Sequence, residues 1–376
     1  MQFPTLDQLK ERRTRKWTVY DDDVLPLWIA ESDFFTCPPV KQAIADAIDR
    51  ESFGYTPATS DLPQAVSDFY AERYGWRPDP ELVVAVPDVV RGLALAIEYM
   101  TRPDSGVIVP VPAYPPFLEL PEATRRPMHQ IDAYGGIDLG DVEKQFAAGA
   151  GSILLCAPNN PLGYTFDEEF LRELCDLADR YDARVLVDEI HAPLVFDGTH
   201  VCAAGVSETA AKVCVTVTAT SKAWNIAGLK CAQIIFSNPA DMDTWNSMTG
   251  VARDGTSTLG IWAAIACYRE GGHCLEEQVA YLRENRDWLA EELPRRVPGL
   301  KVISPAATYL MWMDFSGTSI GHLERPAIWL RENARVAFND GIAFGPGGLH
   351  HARLNFATSR EILEEACDRL ESAFAR

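Results

Sequence analysis

The stretch VCVTVTATSKAWNIAGLK, residues 213–230, joins a short apolar run to a polar turn that contains a lysine. The first five residues are β-branched or small, which is typical of a buried strand. The same pattern recurs through the middle of the chain, where short apolar runs alternate with longer helical periodicities. Strands separated by helices favour an α/β fold with a mostly parallel sheet that helices cover on both faces.

The predicted elements fall into two groups along the chain. The predicted strands of the central group are Leu82–Val86, Gly106–Val109, Ser152–Cys156, Arg184–Val187, Val213–Val217 and Gln233–Phe236, and the helices include Val89–Met100, Glu168–Tyr181 and Leu259–Glu270. The second group comprises a charged helix near Leu275–Arg296, a strand Tyr309–Phe315, a helix Ala327–Asp340, a glycine-rich turn, the strand-like run HARLNFA and a helix from Ser359. We therefore predict a large domain over residues 41–270 and a smaller α+β domain formed by residues 1–40 and 271–376.

The composition restricts the possible partners and the compartment. The chain has 34 basic and 54 acidic residues and a formal net charge of -20, which disfavours binding to nucleic acid or to an anionic membrane. We expect no signal peptide in MQFPTLDQLKERRTRKW and no membrane span, because the apolar runs are short and are broken by proline. The nine cysteines have no CxxC pair, which predicts reduced, buried thiols in a cytoplasmic protein.

Polar residues follow the predicted strands at their carboxyl ends. Asp188 comes directly after one strand, Asn160 lies in a turn after another, and Lys222 and Tyr114 follow two more. The helix that begins near Val89 adds free backbone N–H groups at the same edge. Because parallel sheets bind ligands outside the carboxyl ends of their strands, we expect these groups to converge on one site.

This set of groups matches the needs of a cofactor with a ring nitrogen and a phosphate tail. A lysine can form a Schiff base with the cofactor and later act as a base. A buried aspartate keeps the ring nitrogen protonated, and a helix N-terminus with nearby hydroxyls binds phosphate. The sequence therefore predicts pyridoxal 5′-phosphate (PLP) bound through Lys222.

The sequence resembles the fold-type I, aspartate aminotransferase-like PLP enzymes of the class I/II aminotransferase family, and within them the cystathionine β-lyase branch of C–S lyases. The resemblance covers essentially the whole chain. The motifs that carry it are LPLWIAESDF (25–34), FGYTP (53–57), YGWRPDPELVVAVPDVV (74–90), VPAYPPF (111–117), CAPNNPLG (156–163), VDEIHAPLVFDGTH (187–200), TSKAWNIAGLK (220–230), ATYLMWMDF (307–315) and RLNFA (353–357). The first and the eighth of these stretches indicate the lyase branch.

The resemblance implies a role for each residue around the ring of the cofactor. Lys222 would form the covalent bond, and Asp188 would pair with the pyridine nitrogen. Asn160 and His191 would contact the O3′ atom of the ring, and Tyr114 would stack on its face. We expect Lys222, Asp188 and Tyr114 to be the catalytic residues.

The resemblance also implies how the phosphate and the substrate are held. The phosphate contacts would come from Ser221, Lys230 and the backbone around Val89 and Val90. Tyr55 would reach the phosphate of the neighbouring subunit, which implies a homodimer with shared active sites. Arg353 would bind the α-carboxylate of an amino-acid substrate through its two-pronged guanidinium.

The sequence departs from the pattern expected for the family at five positions. Asp88 stands where glycine usually precedes the phosphate-binding helix, and a carboxylate beside a phosphate is unfavourable unless it caps the helix and faces away. Asn159 replaces a frequent histidine, Tyr164 replaces a frequent arginine, and Glu31-Ser32 replaces an Asp-Met pair. These differences concern substrate preference and do not affect the expected cofactor.

The favoured function is α,β-elimination from sulfur amino acids such as cystathionine, which gives a thiol, pyruvate and ammonia. An aminotransferase of the same fold is the alternative, because the same residues serve both reactions. A nicotinamide dehydrogenase would need a glycine fingerprint that the sequence lacks, and a non-catalytic regulator stays open. We predict no metal site, since His350 and His351 fit positions at the surface or behind the active-site residues, and neither an HExxH motif nor a cysteine–histidine grouping supports one.

Overall fold

The computed structural model describes residues 2–375, which form one seven-stranded sheet, one four-stranded sheet and one two-stranded pair. The strands are β1 Leu25–Pro26, β2 Val83–Val86, β3 Gly106–Val111, β4 Met128–Asp132, β5 Ala150–Cys156, β6 Arg184–Asp188, β7 Cys214–Thr218, β8 Ala232–Phe236, β9 Lys301–Ile303, β10 Leu310–Asp314, β11 Val336–Ala337, β12 Asn339–Asp340 and β13 His351–Asn355. The helices are α1 Leu6–Glu11, α2 Arg15–Thr18, α3 Pro38–Asp49, α4 Asp61–Tyr74, α5 Val89–Met100, α6 Pro115–Ala123, α7 Leu139–Ala147, α8 Glu168–Arg180, α9 Glu208–Val213, α10 Pro239–Ser247, α11 Gly250–Arg253, α12 Thr258–Glu270, α13 Gly272–Arg296, α14 Pro326–Asn333 and α15 Arg360–Phe374.

The seven-stranded sheet has the order β2-β8-β7-β6-β5-β3-β4. The strands from β4 to β7 pair in parallel, and β8 runs antiparallel to both of its neighbours. Every residue of β3, β5, β7 and β8 is buried, because helices cover both faces of the sheet. The predicted α/β fold with a mostly parallel sheet is confirmed.

The six predicted strands of this sheet are all present within two residues of their predicted ends. The sequence analysis missed a seventh strand, β4, which reads MHQID. Only Ile131 of this strand is buried, because β4 lies at the edge of the sheet. The other six strands were predicted from continuous apolar runs. A short edge strand with a single buried apolar residue has no such run, so the sequence does not reveal it.

The predicted helix Ala327–Asp340 is wrong beyond Asn333. Arg335 has a φ of 54°, which breaks the helix, and the chain then forms β11 and β12. Strand β11 pairs in parallel with β1, through the Leu25 N–H to the Arg335 carbonyl and the Leu27 N–H to the Ala337 carbonyl, both at 2.9 Å. These bonds satisfy backbone groups with partners about three hundred residues away along the chain.

The C-terminal part of the chain forms the four-stranded antiparallel sheet β12-β13-β10-β9, against which α13 and α14 pack, while α15 packs against α13 and β11. The β1–β11 pair attaches the N-terminal segment to this part. The pairing is consistent with a small domain formed by both termini, but the division at residues 40 and 270 stays a prediction. Within the described residues, no helix combines the length and the apolar character that a membrane span requires.

The structure corrects the expectation that all cysteines are reduced. Cys37, at the start of α3, and Cys274, in the first turn of α13, form a disulfide with a Cα–Cα distance of 6.0 Å. The other seven cysteines are free and buried, as expected. The pair is separated by 237 residues, so its proximity comes from the packing of the two helices and could not be read from cysteine spacing.

Candidate active site

A cavity of about 340 Å³ opens at the carboxyl ends of the parallel strands, beside the N-terminus of α5. Its walls contain nine of the predicted site residues: Val89, Val90, Tyr114, Asn160, Asp188, His191, Ser221, Lys222 and Lys230. The parallel strands end at the same edge of the sheet, so the residues that follow them meet although they are far apart in sequence.

Lys222 lies between the sheet and the N-terminal segment. Its ammonium donates a hydrogen bond to the Ala30 carbonyl at 2.9 Å, and the Tyr309 hydroxyl donates to the same carbonyl at 3.1 Å. Burial and then the charge of Arg353 lower the pKa of Lys222 to about 8. A lysine with this pKa is partly neutral near physiological pH, so it can act as a nucleophile or as a base.

Asp188 forms the floor of the cavity at the end of β6. Its carboxylate accepts the Ile190 N–H at 3.0 Å, and burial raises the pKa of Asp188 to about 7. The ionised form of a buried carboxylate is stabilised most by a partner that carries a proton or a positive charge. A protonated ring nitrogen is such a partner.

The other end of the cavity is suited to phosphate. The first N–H groups of a helix have no carbonyl partner within the helix. Val89 and Val90, the first two residues of α5, line the cavity together with Ser221 and Lys230. Asp88 caps α5, since one carboxylate oxygen accepts the Arg91 N–H and the other accepts the Lys230 ammonium, both at 2.8 Å. Asp88 therefore lies in the wall as a helix cap, and Lys230 balances its charge.

Arg353 lies beside the cavity on β13, with only 2% of its surface exposed. It donates to the Asn160 side-chain oxygen at 2.9 Å and to the Trp28 carbonyl at 3.3 Å, and its guanidinium lies 4.9 Å from the centre of the Phe344 ring. Burial lowers the pKa of Arg353 to about 10. Its Nε atom is buried and finds no acceptor in the described part of the chain, so this donor lacks a partner there.

His191 and Tyr114 complete the walls of the cavity. Burial lowers the pKa of His191 well below its usual value, so the ring is neutral. Its Nδ1 atom has no hydrogen-bond partner among residues 2–375. Burial, with a contribution from Asp188, raises the pKa of Tyr114 to about 12, so the hydroxyl stays protonated.

The structure does not bring Tyr55 into the cavity of its own chain. The Tyr55 side chain is 100% exposed. Its loop is fixed by hydrogen bonds from the Thr56 hydroxyl to the Thr256 carbonyl and from the Thr258 hydroxyl to the Gly54 carbonyl, both at 2.8 Å. The role of Tyr55 in a neighbouring subunit stays a prediction.

Three contacts of the site were not predicted, and they come from the carbonyls of Ala30 and Trp28 and from the Tyr309 hydroxyl. The motifs WIAESDF and ATYLMWMD contain these residues and were noted for the resemblance alone. The residue type does not show which backbone carbonyl will accept a hydrogen bond. Only the folded chain therefore identifies the carbonyls of Ala30 and Trp28 as acceptors.

The residues present fit PLP. A buried carboxylate, a lysine and a helix N-terminus all line the same cavity. The unpartnered Nδ1 of His191 and Nε of Arg353 are buried polar atoms that need partners, and a polar ring and an amino-acid carboxylate supply them.

Comparison with known proteins also indicates a PLP-dependent enzyme. The profile of the class I and II aminotransferases matches residues 22–370. A cystathionine β-lyase of Corynebacterium glutamicum is 58% identical over 99% of this chain and 100% of its own length. A crystal structure from Corynebacterium diphtheriae, of a proposed PLP-dependent β-cystathionase, has 60% identity and a TM-score of 0.98, covering 100% of this chain and 99% of the other. Cystalysin from Treponema denticola, crystallised with PLP, has 26% identity and a TM-score of 0.92, covering 100% and 98%.

Proposed function

We propose that cystathionine is the substrate of this chain, which belongs to the class I and II aminotransferase family and is a PLP-dependent carbon–sulfur lyase with the fold-type I fold. The observation that carries the proposal is the 58% identity to a cystathionine β-lyase over the full chain, combined with a Lys222 amine and an Arg353 guanidinium at one cavity.

When bound, PLP supplies the electron sink that accepts the charge left on the α-carbon of the substrate. Arg353 binds the α-carboxylate and orients the substrate. The Lys222 amine, once it leaves the Ala30 carbonyl, removes the α-proton. Asp188 holds a proton at the ring nitrogen through its buried carboxylate.

The elimination then proceeds without a second substrate. The Cβ–S bond breaks, its electron pair leaves with sulfur as a thiolate, and hydrolysis of the remaining fragment gives pyruvate and ammonia. A transamination would instead leave the Cβ–S bond intact and would require a keto acid as a second substrate for repeated turnover. The need for a keto acid therefore distinguishes the two reactions.

We expect purified protein to turn over cystathionine many times without an added keto acid. The measurement is pyruvate released per active site, with and without a keto acid that the assay does not detect. Alanine is the matched control, because it has the same carboxylate and α-proton but no leaving group. An aminotransferase would release no pyruvate from cystathionine, because the Cβ–S bond stays intact, and it would consume only one equivalent of cystathionine per site until a keto acid is added.

We also propose that the active unit is a homodimer. Tyr55 and the neighbouring Phe53 and Val251 are exposed apolar side chains, with 100%, 63% and 90% of their surfaces accessible, and an exposed apolar surface of this kind favours a protein interface. The proposal assigns the Tyr55 hydroxyl to the phosphate in the partner subunit.

Mixing two inactive variants tests this arrangement. A hybrid of Tyr55→Ala and Lys222→Ala subunits has one site that keeps both residues, so we expect activity to return on mixing. Mixing each variant with itself is the control. If the subunits exchange, as shown by differently tagged chains, and no activity returns, the sites are not shared.

The cytoplasmic location is also a proposal. It is supported by the seven free, buried thiols, which are typical of a reducing compartment. The Cys37–Cys274 disulfide is the one feature that does not fit it.

A further inference from the structure

A second group of buried reactive side chains lies outside the cofactor cavity. Glu189 follows β6 directly, and His200 and Cys202 lie just before the short 3-10 helix Ala203–Gly205. We call these three residues the Glu189 cluster. Their exposed fractions are 0%, 5% and 4%. None of them contributes to the cavity walls or to the elimination described above.

The cluster offers three different ligand atoms to one point in space. A carboxylate oxygen, an imidazole nitrogen and a thiol sulfur all lie within 4.8 Å of one another. The His200 Nε2 atom is 3.3 Å from the Glu189 Oε1 atom. Two such ligands on a tetrahedral zinc ion, each at about 2.0–2.1 Å, are separated by about 3.4 Å. The observed separation therefore suits ligands of one metal ion.

Two polar atoms of the Glu189 cluster lack the partners that burial requires. The Glu189 Oε1 atom accepts the Ala203 N–H at 3.3 Å. The Glu189 Oε2 and His200 Nε2 atoms are buried without a hydrogen bond inside the described ranges. The hydroxyls of Tyr70 and Tyr74 are also buried without a hydrogen-bond partner among the described residues. Leaving such groups unsatisfied is costly, so the cluster favours a bound species that contacts several of them.

We infer that Glu189, His200 and Cys202 bind one divalent transition-metal ion, and that the mixed oxygen, nitrogen and sulfur donors favour zinc. A carboxylate and a thiolate together carry two negative charges, which a dication neutralises inside the protein.

The Glu189 cluster lies beside a cleft. His200 lines a cleft of about 450 Å³, together with Tyr74 on α4 and Tyr268 on α12. The ring of Tyr74 lies 5.2 Å from that of His200. A water molecule from this cleft or the Tyr74 hydroxyl can supply the fourth ligand. The metal ion would link Glu189, the residue after Asp188, to the segment that contains His200 and Cys202. This structural role does not involve the substrate.

Cobalt substitution of the holoenzyme tests the inference. We expect zinc near one equivalent per chain by mass spectrometry of the purified protein. After chelation and addition of Co²⁺, visible d–d bands and a sulfur-to-cobalt charge-transfer band should appear. Cys202→Ser should lose the charge-transfer band, and His200→Gln should weaken binding. Cys367→Ser is the matched control, since Cys367 is also free and buried but lies on α15.

The outcomes separate the metal site from a hydrogen-bonded cluster. Wild-type protein that shows neither zinc nor cobalt bands overturns the inference, whatever the variants do. A charge-transfer band that persists in Cys202→Ser overturns it as well. If Cys202→Ser fails to fold, the thermal midpoint of the wild type still decides, because added Zn²⁺ raises it only if the folded state binds the ion more tightly. None of these readouts depends on the substrate.

Discussion

Lys222→Ala should lower the turnover of cystathionine by a factor of at least about 10²–10⁴, because it removes the base that takes the α-proton. The amine lies at the cavity, and its lowered pKa of about 8 keeps part of it neutral for this task. Pyruvate release at saturating substrate is the measurement. Lys212→Ala is the matched control, because Lys212 is exposed and pairs with Asp179 at the surface.

Borohydride trapping gives a second measurement of the same role. The wild type should show a visible cofactor band that borohydride abolishes, and peptide mapping should place the reduced cofactor on Lys222. The variant should bind the cofactor without a reducible bond. A borohydride-reducible adduct at the same site in Lys222→Ala would show that another amine holds the cofactor.

Arg353→Ala should lower kcat/KM for cystathionine by about 30- to 5,000-fold, which corresponds to about 2–5 kcal/mol for a desolvated charge pair. Arg353 is buried and its Nε atom has no acceptor among the described residues, so a substrate carboxylate that binds there would meet a charge that water does not screen. Arg353→Lys should recover only part of the loss, because an ammonium cannot reproduce the two-point contact. The same loss should appear in proton abstraction from alanine.

The control for this prediction is Arg269→Ala, since Arg269 is partly exposed and pairs with Asp61. The thermal midpoint and the cofactor absorbance must be checked in parallel, because Arg353 also donates to Asn160 and its loss leaves that oxygen without its partner. A folded, cofactor-bound Arg353→Ala protein with nearly unchanged kcat/KM would exclude the proposed carboxylate contact.

The sequence by itself determined the α/β class, six of the seven strands of the large sheet and nine residues of the cavity. These features depend on local information. Buried parallel strands need continuous apolar runs, and residues such as Asp188 and Lys222 follow those runs directly, so their convergence follows from the topology of a parallel sheet. The resemblance to the family supplied the separate roles of these residues.

The tertiary structure alone decided the features that depend on distant partners. Residues 334–340 leave the helix because β11 finds its hydrogen bonds in β1, and the Ala30 carbonyl accepts from Lys222 because the N-terminal segment packs there. The Cys37–Cys274 disulfide and the Glu189 cluster likewise arise from packing. Residue type and spacing describe what a group can do, whereas its partners depend on contacts between segments that only the folded chain brings together.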